Sequence, residues 1–307
     1  RLTKATGKPY GSTRRGIAPV YADKYMKKAF RMGELLNTEL MFRRLPDIVA
    51  WKNLTVTAYG YDPVRVDDMI DYFRTYGEPL KQFITDTGVF LNEAHKAGKS
   101  IMFEAQLGAL RDIAYGIVPY TSSSSTIAAY APIGAGVPNL KLDKSIGIMK
   151  AYSSCVGEGP FACEYFGEQA ERLREAGGEY GAATGRPRRV GPFAVVASRY
   201  GIRCQGADEI ALTKLDVLDG YEEIEICTHY ELDGKIIDEF PFTDVLDFCK
   251  PVFEKVKGWN CDISGCKKPE DLPKEAIDYI RLLEKLCGCR IKYVSVGAER
   301  DACIKMY

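Results

Sequence analysis

Predicted strands alternate with predicted helices along this chain, and the alternation restricts its possible folds more than any other sequence feature. Apolar or alternating runs predict strands at the start of 99–108 and at 147–154, 209–215, 222–230 and 291–295. Amphipathic periodicity predicts helices at 163–176 and 273–288, with one or two more over 64–96. This alternation favours an α/β fold, in which helices flank a mainly parallel central sheet.

Turn and capping residues mark the same boundaries. Asp233 and Gly234 predict a hairpin turn between two strands. Pro273 stands in the first turn of one predicted helix and Gly288 at its end, which are the positions where these residues are favoured. Local signals therefore support the boundaries that periodicity indicates.

The composition is that of an ordinary globular protein. The 307 residues are 46% hydrophobic and 27% charged, which suits one large α/β domain or two smaller ones. The 42 Lys and Arg residues balance 42 Asp and Glu residues, so charge does not indicate a nucleic-acid partner. Apolar stretches are too short to span a bilayer and no signal-peptide pattern is present, so we expect a soluble protein without a membrane partner.

The cysteines indicate a reducing compartment. Ten cysteines at wide spacings are typical of free thiols in a cytoplasmic protein. Disulfides are the less favoured interpretation. A zinc site is also disfavoured, because the pairs Cys261/Cys266 and Cys287/Cys289 lack zinc-ligand spacing and the chain has only two histidines.

Three arginines follow a turn signal in the segment EYGAATGRPRRVGPF, residues 179–193. They are Arg186, Arg188 and Arg189. Thr184, Gly185 and Pro187 favour a loop, and guanidinium groups on a constrained loop suit bidentate binding of carboxylate or phosphate. A solvated basic loop or a nucleic-acid patch is the alternative interpretation.

Two further segments contain groups suited to a nucleotide. Residues 11–28, GSTRRGIAPVYADKYMKK, combine small, hydroxyl and basic residues, as phosphate sites do. In LTKLDVLDG, residues 212–220, a buried strand ends at Lys214, Leu215 and Asp216, and functional groups of open α/β sheets gather at such ends. The Asp216 carboxylate offers two acceptors that match N1–H and N2–H₂ of guanine but not adenine. A surface Lys-x-Asp is the structural alternative.

Six segments follow one another along the chain, from Gly11 to Arg300, at spacings that identify a family. They are STRRGIAPVYADK, FEAQLGALRDIAYGIVPYTSSSS, GIMKAYSSCVGEGPF, EYGAATGRPRRVG, LTKLDVLDG and VSVGAER. In sequence and in order they resemble the signature blocks of adenylosuccinate synthetase.

This resemblance implies a reaction, a fold and partners. Enzymes of the family use GTP and Mg²⁺ to phosphorylate the 6-oxygen of IMP. The amino group of L-aspartate then displaces that phosphate, which gives adenylosuccinate, GDP and phosphate in the first committed step from IMP to AMP. The family's α/β sheet is related to P-loop GTP-binding folds, and its members are typically cytoplasmic homodimers.

The resemblance also implies roles for individual residues. The positions matched to IMP are Thr13, Lys27, Gln106, Ser122, Val156 and Arg186, with Lys27 near the active site of the partner subunit. The positions matched to L-aspartate are Ala182, Ala183, Thr184, Gly185, Arg186 and Arg188. The positions matched to GTP are Arg188, Lys214, Leu215, Asp216, Ser295, Val296 and Gly297. Lys24 matches the lysine of a further family signature.

The resemblance breaks at the amino terminus. The family begins with a Gly-Asp-Glu-Gly-Lys-Gly phosphate loop, which contains the proposed base and Mg²⁺ ligand, and a Gly-His-Thr segment with the proposed acid. Neither occurs here, so we expect residues 1–307 to be the C-terminal three quarters of an adenylosuccinate synthetase domain. We accordingly expect no catalytic base, catalytic acid or Mg²⁺ ligand within it, and no activity from the 307 residues alone.

Single positions also depart from the family pattern. Lys27 replaces an arginine, Ala183 a threonine and Ala298 a proline, while Leu107 occupies the place of an IMP-binding amide, with Gln106 one residue earlier. Two alternatives therefore stay open. One is a 2-aminoadenylosuccinate synthetase that acts on GMP or deoxy-GMP, and the other is a non-catalytic purine-nucleotide-binding homologue.

Overall fold

The computed structural model describes residues 15–182 and 185–307, so Thr13, Ala183 and Thr184 lie outside the described residues. The helices are α1 (Ile17–Tyr25), α2 (Thr38–Ala58), α3 (Val66–Tyr72), α4 (Thr87–Lys96), α5 (Ala131–Gly134), α6 (Gly167–Gly177), α7 (Val195–Gln205), α8 (Thr243–Leu246) and α9 (Lys274–Cys287). The strands are β1 (Ile146–Lys150), β2 (Ser153–Cys155), β3 (Arg189–Gly191), β4 (Phe193–Ala194), β5 (Glu209–Thr213), β6 (Glu223–Leu232), β7 (Lys235–Ile237), β8 (Lys250–Lys257), β9 (Arg290–Ser295) and β10 (Cys303–Lys305).

The central sheet has the strand order β1-β5-β9-β10. Strands β1, β5 and β9 are parallel, and β10 adds an antiparallel edge. Residues of β5 and β9 that point into the core, among them Leu212 and Val294, are completely buried. The predicted α/β fold with a mainly parallel central sheet is confirmed.

A second sheet and a short strand pair lie beside the central sheet. Strand β6 is parallel to β4 and antiparallel to both β7 and β8. The β6–β7 hairpin turns at Asp233 and Gly234, whose positive φ angles of 51° and 75° are those of a type I′ turn, as the sequence predicts. Strands β2 and β3 form a separate antiparallel pair, in which Cys155 lies opposite Arg189.

Helix α9 closes one face of the core. Its buried residues Ala276, Tyr279, Ile280 and Leu283 recur at helical spacing and form one apolar face. Gly288 ends the helix in the left-handed conformation, with φ of 66°, as its position in the sequence predicts. The Tyr279 hydroxyl donates a hydrogen bond of 2.6 Å to the Ala151 carbonyl, which fixes the helix against the segment after β1.

One prediction about the first third of the chain needs correction. The predicted strand at the start of 99–108 is wrong, because this segment forms neither helix nor strand and Met102 is 89% exposed. An apolar run does not form a strand without a neighbour that pairs with its backbone. The sequence predicts one or two helices over 64–96, and the structure has two, α3 and α4, separated by a π-helical turn at Phe73–Gly77 and a 3₁₀ turn at Glu78–Phe83.

The helices of this first third bury few side chains. Helices α1, α3 and α4 contain no buried residue, whereas α2 buries Met41, Leu45 and Val49. Within the described residues, no helix combines the length and the apolar character that a bilayer span requires.

Candidate active site

The carboxyl ends of β5 and β9 bring together the residues predicted to bind GTP. The two strands are neighbours and parallel, with Leu212 opposite Val294, so the residues that follow them lie at one edge of the sheet. Lys214, Leu215 and Asp216 follow β5, while Val296 and Gly297 follow Ser295 at the end of β9. Lys214 adopts a left-handed conformation, with φ of 60°, and this sharp turn ends the strand at Thr213, two residues earlier than expected.

Asp216 has a buried oxygen without a partner. Its Oδ1 accepts no hydrogen bond within the described residues. Burial raises the pKa of Asp216 above its ordinary value, while the Lys214 charge acts in the opposite direction. A buried unsatisfied acceptor costs about 1–3 kcal/mol, so a ligand that donates a hydrogen bond here would relieve that cost.

The arginine-rich loop at 181–188 is closed by its own backbone. Gly181 N–H donates to the Arg186 carbonyl at 2.8 Å, and Gly185 N–H donates to the Gly181 carbonyl at 2.7 Å. Gly185 has a φ of 62°, which favours glycine. Ala182 and Arg186 are exposed, whereas Arg188 is half-buried. The predicted loop is confirmed at the described positions up to Arg188, whereas Arg189, also expected on the loop, begins β3 because its backbone pairs with Cys155.

A buried carboxylate fixes Arg188. Glu179 is 0% exposed, and its Oε2 accepts a hydrogen bond of 2.8 Å from Arg188 Nη1. Its Oε1 accepts from Lys150 Nζ at 2.7 Å and from the Tyr152 hydroxyl. Burial works to raise the pKa of Glu179, but the bonds from Lys150, Tyr152 and Arg188 outweigh burial and hold that pKa below its ordinary value. Glu179 is therefore held as a carboxylate.

The same cluster lies between the predicted aspartate loop and the predicted GTP residues. Lys214 Nζ donates a hydrogen bond of 2.6 Å to the carbonyl of Gly177, at the end of α6. Burial and the Glu179 carboxylate raise the pKa of the Tyr152 hydroxyl, and the charges of Asp216 and Arg188 act on it with opposite sign. The last residue of α6 thus contacts Lys214 of the predicted GTP residues, and Glu179, two residues later, contacts Arg188 of the predicted aspartate loop.

A second buried carboxylate organises the serine-rich segment. Asp112 is 0% exposed and accepts hydrogen bonds from the backbone N–H groups of Ala114, Tyr115 and Thr126 and from Ser125 Oγ. Burial works to raise its pKa, but these bonds prevail and hold the pKa below its ordinary value. Asp112 therefore holds the two ends of the segment on which Ser122 lies close together.

Ser122 is held near the segment after β2. Its hydroxyl shares a hydrogen bond of 2.7 Å with Ser124 Oγ, and its N–H donates to the Arg111 carbonyl at 2.8 Å. Arg111 Nη2 in turn donates to the Val156 carbonyl at 3.3 Å. The structure therefore joins two of the segments predicted to bind IMP.

Other predicted IMP residues lie at the surface. Gln106 and Leu107 are both exposed, and Leu107 has a φ of 70°, which is rare for a residue other than glycine. Lys24 and Lys27 are exposed at the end of α1, with the Lys24 ammonium 5.7 Å from the Tyr21 ring centre. In the part of the chain that the structure describes, no hydrogen bond or ion pair joins either lysine to the loops above.

Metal-ligating side chains are not clustered within the described residues. Residues 15–182 and 185–307 contain no group of three or more acidic, cysteine or histidine side chains that could hold a metal ion. Mg²⁺ commonly binds proteins through one or two carboxylates, with substrate phosphates and water as further ligands.

Comparison with known proteins identifies the family of this chain. The family model of adenylosuccinate synthetase matches residues 2–304. The chain belongs to the adenylosuccinate synthetase family. The family's enzymes are GTP-dependent ligases of purine biosynthesis, which is the activity that the six sequence segments imply.

Individual adenylosuccinate synthetases match nearly the whole chain. The enzyme from Pelobacter propionicus is 43% identical over 306 residues, which are 99% of this chain and 71% of the relative. The enzyme from Streptococcus gordonii is 42% identical over 293 residues, which are 95% of this chain and 68% of the relative. The structure of fully ligated adenylosuccinate synthetase from Plasmodium falciparum superposes with a TM-score of 0.93 at 32% identity, covering 100% of this chain and 73% of that one.

The sequence did not point to three residues that organise this site. Glu179, Lys150 and Asp112 all lie within segments that resemble the family's signature blocks, yet nothing in their local sequence distinguishes them from surface charges. The Lys150–Glu179 contact joins residues 29 positions apart, so neither residue predicts the other.

Proposed function

We propose that the carboxyl ends of β5 and β9 bind the guanine base of GTP. The observation that supports this assignment is the buried Oδ1 of Asp216, which has no partner among the described residues and lies at the sheet edge shared with Ser295, Val296 and Gly297. Guanine presents N1–H and N2–H₂ side by side, and a carboxylate accepts from both. Adenine offers no such pair, so Asp216 selects the base.

The arginine loop is assigned to L-aspartate. Arg186 and Arg188 supply guanidinium groups that pair with carboxylates, with Ala182, Ala183, Thr184 and Gly185 as the remaining loop contacts. Arg186 also reaches IMP, and Arg188 also reaches GTP. Burial of Arg188 beside Glu179 supports a fixed and not a mobile guanidinium.

IMP is assigned to the segments that Arg111 joins. Ser122 and Val156 bind its phosphate and ribose, with Thr13, Gln106 and Lys27 as further contacts, the last across a subunit interface. Lys24 is assigned as the signature lysine near the phosphates. Mg²⁺ would neutralise phosphate charge during transfer, and we propose that its ligands come from outside the described residues.

A homodimer in the cytoplasm is part of this proposal. Apolar side chains of α1 and α2 are exposed, with Val20 61% and Leu54 66% accessible, and such surfaces are typical of interfaces. All ten cysteines lie in the described residues as free thiols, which agrees with a reducing compartment. Sedimentation equilibrium of the purified protein should give the mass of a dimer, and a monomer at all concentrations would contradict it.

The test of the reaction uses the protein expressed from its complete gene. With GTP and L-aspartate, IMP should give adenylosuccinate and GDP in equal amounts, whereas ATP should not replace GTP. Product from deoxy-GMP and none from IMP would identify the 2-aminoadenylosuccinate activity instead. GDP binding without turnover on either nucleotide would identify a non-catalytic homologue.

A further inference from the structure

Two consecutive arginines at the end of the loop are held in different ways. Arg189 uses all three nitrogens of its guanidinium on protein atoms: Nε and Nη2 donate to Glu164 Oε2 at 2.8 and 2.5 Å, and Nη1 donates to the Gly159 carbonyl at 2.6 Å. Arg188 donates to Glu179 through Nη1, and its buried Nε has no partner within the described residues. Each guanidinium nitrogen of Arg189 therefore has a protein acceptor, and its role is structural. Arg188, in contrast, has N–H donors left that can bind a ligand.

Glu179 controls the backbone of Arg188 as well as its side chain. The Arg188 N–H donates to the Glu179 carbonyl at 2.8 Å, and the Arg188 carbonyl accepts from Arg174 Nε at 2.9 Å. One residue thus sets both where the Arg188 backbone lies and where its guanidinium points. The direction of the guanidinium plane determines how well an arginine binds a carboxylate, because the two parallel hydrogen bonds form only when both planar groups align.

Lys150 keeps this arrangement positively charged. A single carboxylate paired with Arg188 would leave the pair neutral and weaken its attraction for an anion. Lys150 Nζ lies 2.7 Å from the other oxygen of Glu179, so the three groups together carry one positive charge. Burial lowers the pKa of Lys150, and the bond to Glu179 counteracts that effect. Lys150 thus compensates Glu179 and leaves the charge of Arg188 available.

We propose that Glu179, with Lys150 as its counter-charge, is the positioning residue that orients Arg188 toward the carboxylates of L-aspartate. This inference rests on the proposed function of the loop. Both carboxylate oxygens of Glu179 accept hydrogen bonds from protein side chains, so Glu179 would act on the substrate through Arg188. A purely structural role for the same ion pairs would affect stability alone.

The test replaces Glu179 in the protein expressed from its complete gene. Glu179→Gln keeps the size of the side chain and removes its charge. It also places an amide N–H₂ group among the donors of Lys150, Tyr152 and Arg188. KM for L-aspartate should rise about 10- to 100-fold, the effect of losing one charged hydrogen bond, while KM for IMP changes less than about threefold. KM for GTP is measured in the same series, because Arg188 is also assigned to GTP. Glu179→Asp, which keeps the charge, should restore part of the loss.

Glu164→Gln is the matched control, because it removes the carboxylate that holds the neighbouring Arg189. It should lower the melting temperature and leave KM for L-aspartate within about threefold of wild type. In an Arg188→Leu background, Glu179→Gln should raise KM for L-aspartate no further, since its effect passes through Arg188. Full additivity of the two substitutions would overturn the proposal.

Lys150→Gln provides a second variant in case Glu179→Gln does not fold. It leaves Arg188 neutralised by Glu179 and should also raise KM for L-aspartate. Unchanged KM for L-aspartate in every folded variant of Glu179 or Lys150, in an enzyme that makes adenylosuccinate, would overturn the positioning role. A wild-type enzyme that makes no adenylosuccinate would instead refute the proposed function.

Discussion

Asp216→Asn should change which purine the protein prefers. The substitution keeps the shape of the side chain but replaces one acceptor oxygen with an N–H₂ donor. No group among the described residues donates a hydrogen bond to the buried Asp216 Oδ1, so the N–H groups of guanine would be its first donors. Losing one charged hydrogen bond costs about 1.5–3 kcal/mol, so affinity for GTP should fall roughly 10- to 100-fold.

Xanthosine triphosphate should respond in the opposite direction. Xanthine has a carbonyl in place of the N2–H₂ group, and the new amide can donate to that carbonyl, whereas the wild-type carboxylate repels it. The assay is competitive binding of GTP and xanthosine triphosphate to wild type and Asp216→Asn. No change for either nucleotide would place Asp216 outside the base site, and parallel losses would make its role structural.

A neighbouring aspartate provides the control for this experiment. Asp219 is also half-buried with a raised pKa, caused first by burial, but its oxygens accept from Trp259 Nε1 at 2.6 Å and from the Ile263 N–H at 3.1 Å. Asp219→Asn should lower stability without changing the ratio of the two affinities. A shift of that ratio equal to the one in Asp216→Asn would refute the assignment of base selection to Asp216.

The pH dependence of GTP binding tests the role of Asp216 independently. Burial places the pKa of Asp216 above its ordinary value of 3.8 in the free protein, and bonds from guanine favour the ionised carboxylate. Affinity for GTP should therefore be greatest above this raised pKa and should fall as the pH is lowered through it. In Asp216→Asn that part of the pH dependence should disappear.

Two further predictions concern the loops. Arg186→Leu should raise KM for L-aspartate about 10- to 100-fold through loss of a charge-assisted contact, and unchanged aspartate kinetics with lower stability would make Arg186 structural. Asp112 has a lowered pKa in the folded protein, so the stability it contributes is present above its unfolded pKa and is lost as the pH falls through its folded pKa. Asp112→Asn should therefore lower the melting temperature near neutral pH, and this difference from wild type should shrink in acid; a constant difference would contradict the reasoning.

The sequence predicted those parts of the site that depend on local signals. The turn residues at 184–187 placed Arg186 and Arg188 on a loop, although Arg189, expected on the same loop, begins β3. The apolar run before Lys214 placed Asp216 directly after a strand. Both features follow from residues within a few positions of one another. The order of the six segments also predicted the family, because each segment can be recognised without its neighbours in space.

The sequence by itself determined that helices and strands alternate, where α9 begins and ends, and where the β6–β7 hairpin turns, since periodicity, proline and glycine act over short distances. The tertiary structure decided that β5 and β9 are neighbours and that Glu179 binds Lys150 and Arg188. It also buried Asp216 Oδ1 where no group of residues 15–182 or 185–307 donates to it. The segment near Met102, where a strand was expected, forms no strand in the tertiary structure. Strand pairing and charge burial depend on contacts between distant residues, and the energy of a buried carboxylate is set by the donors that surround it in space.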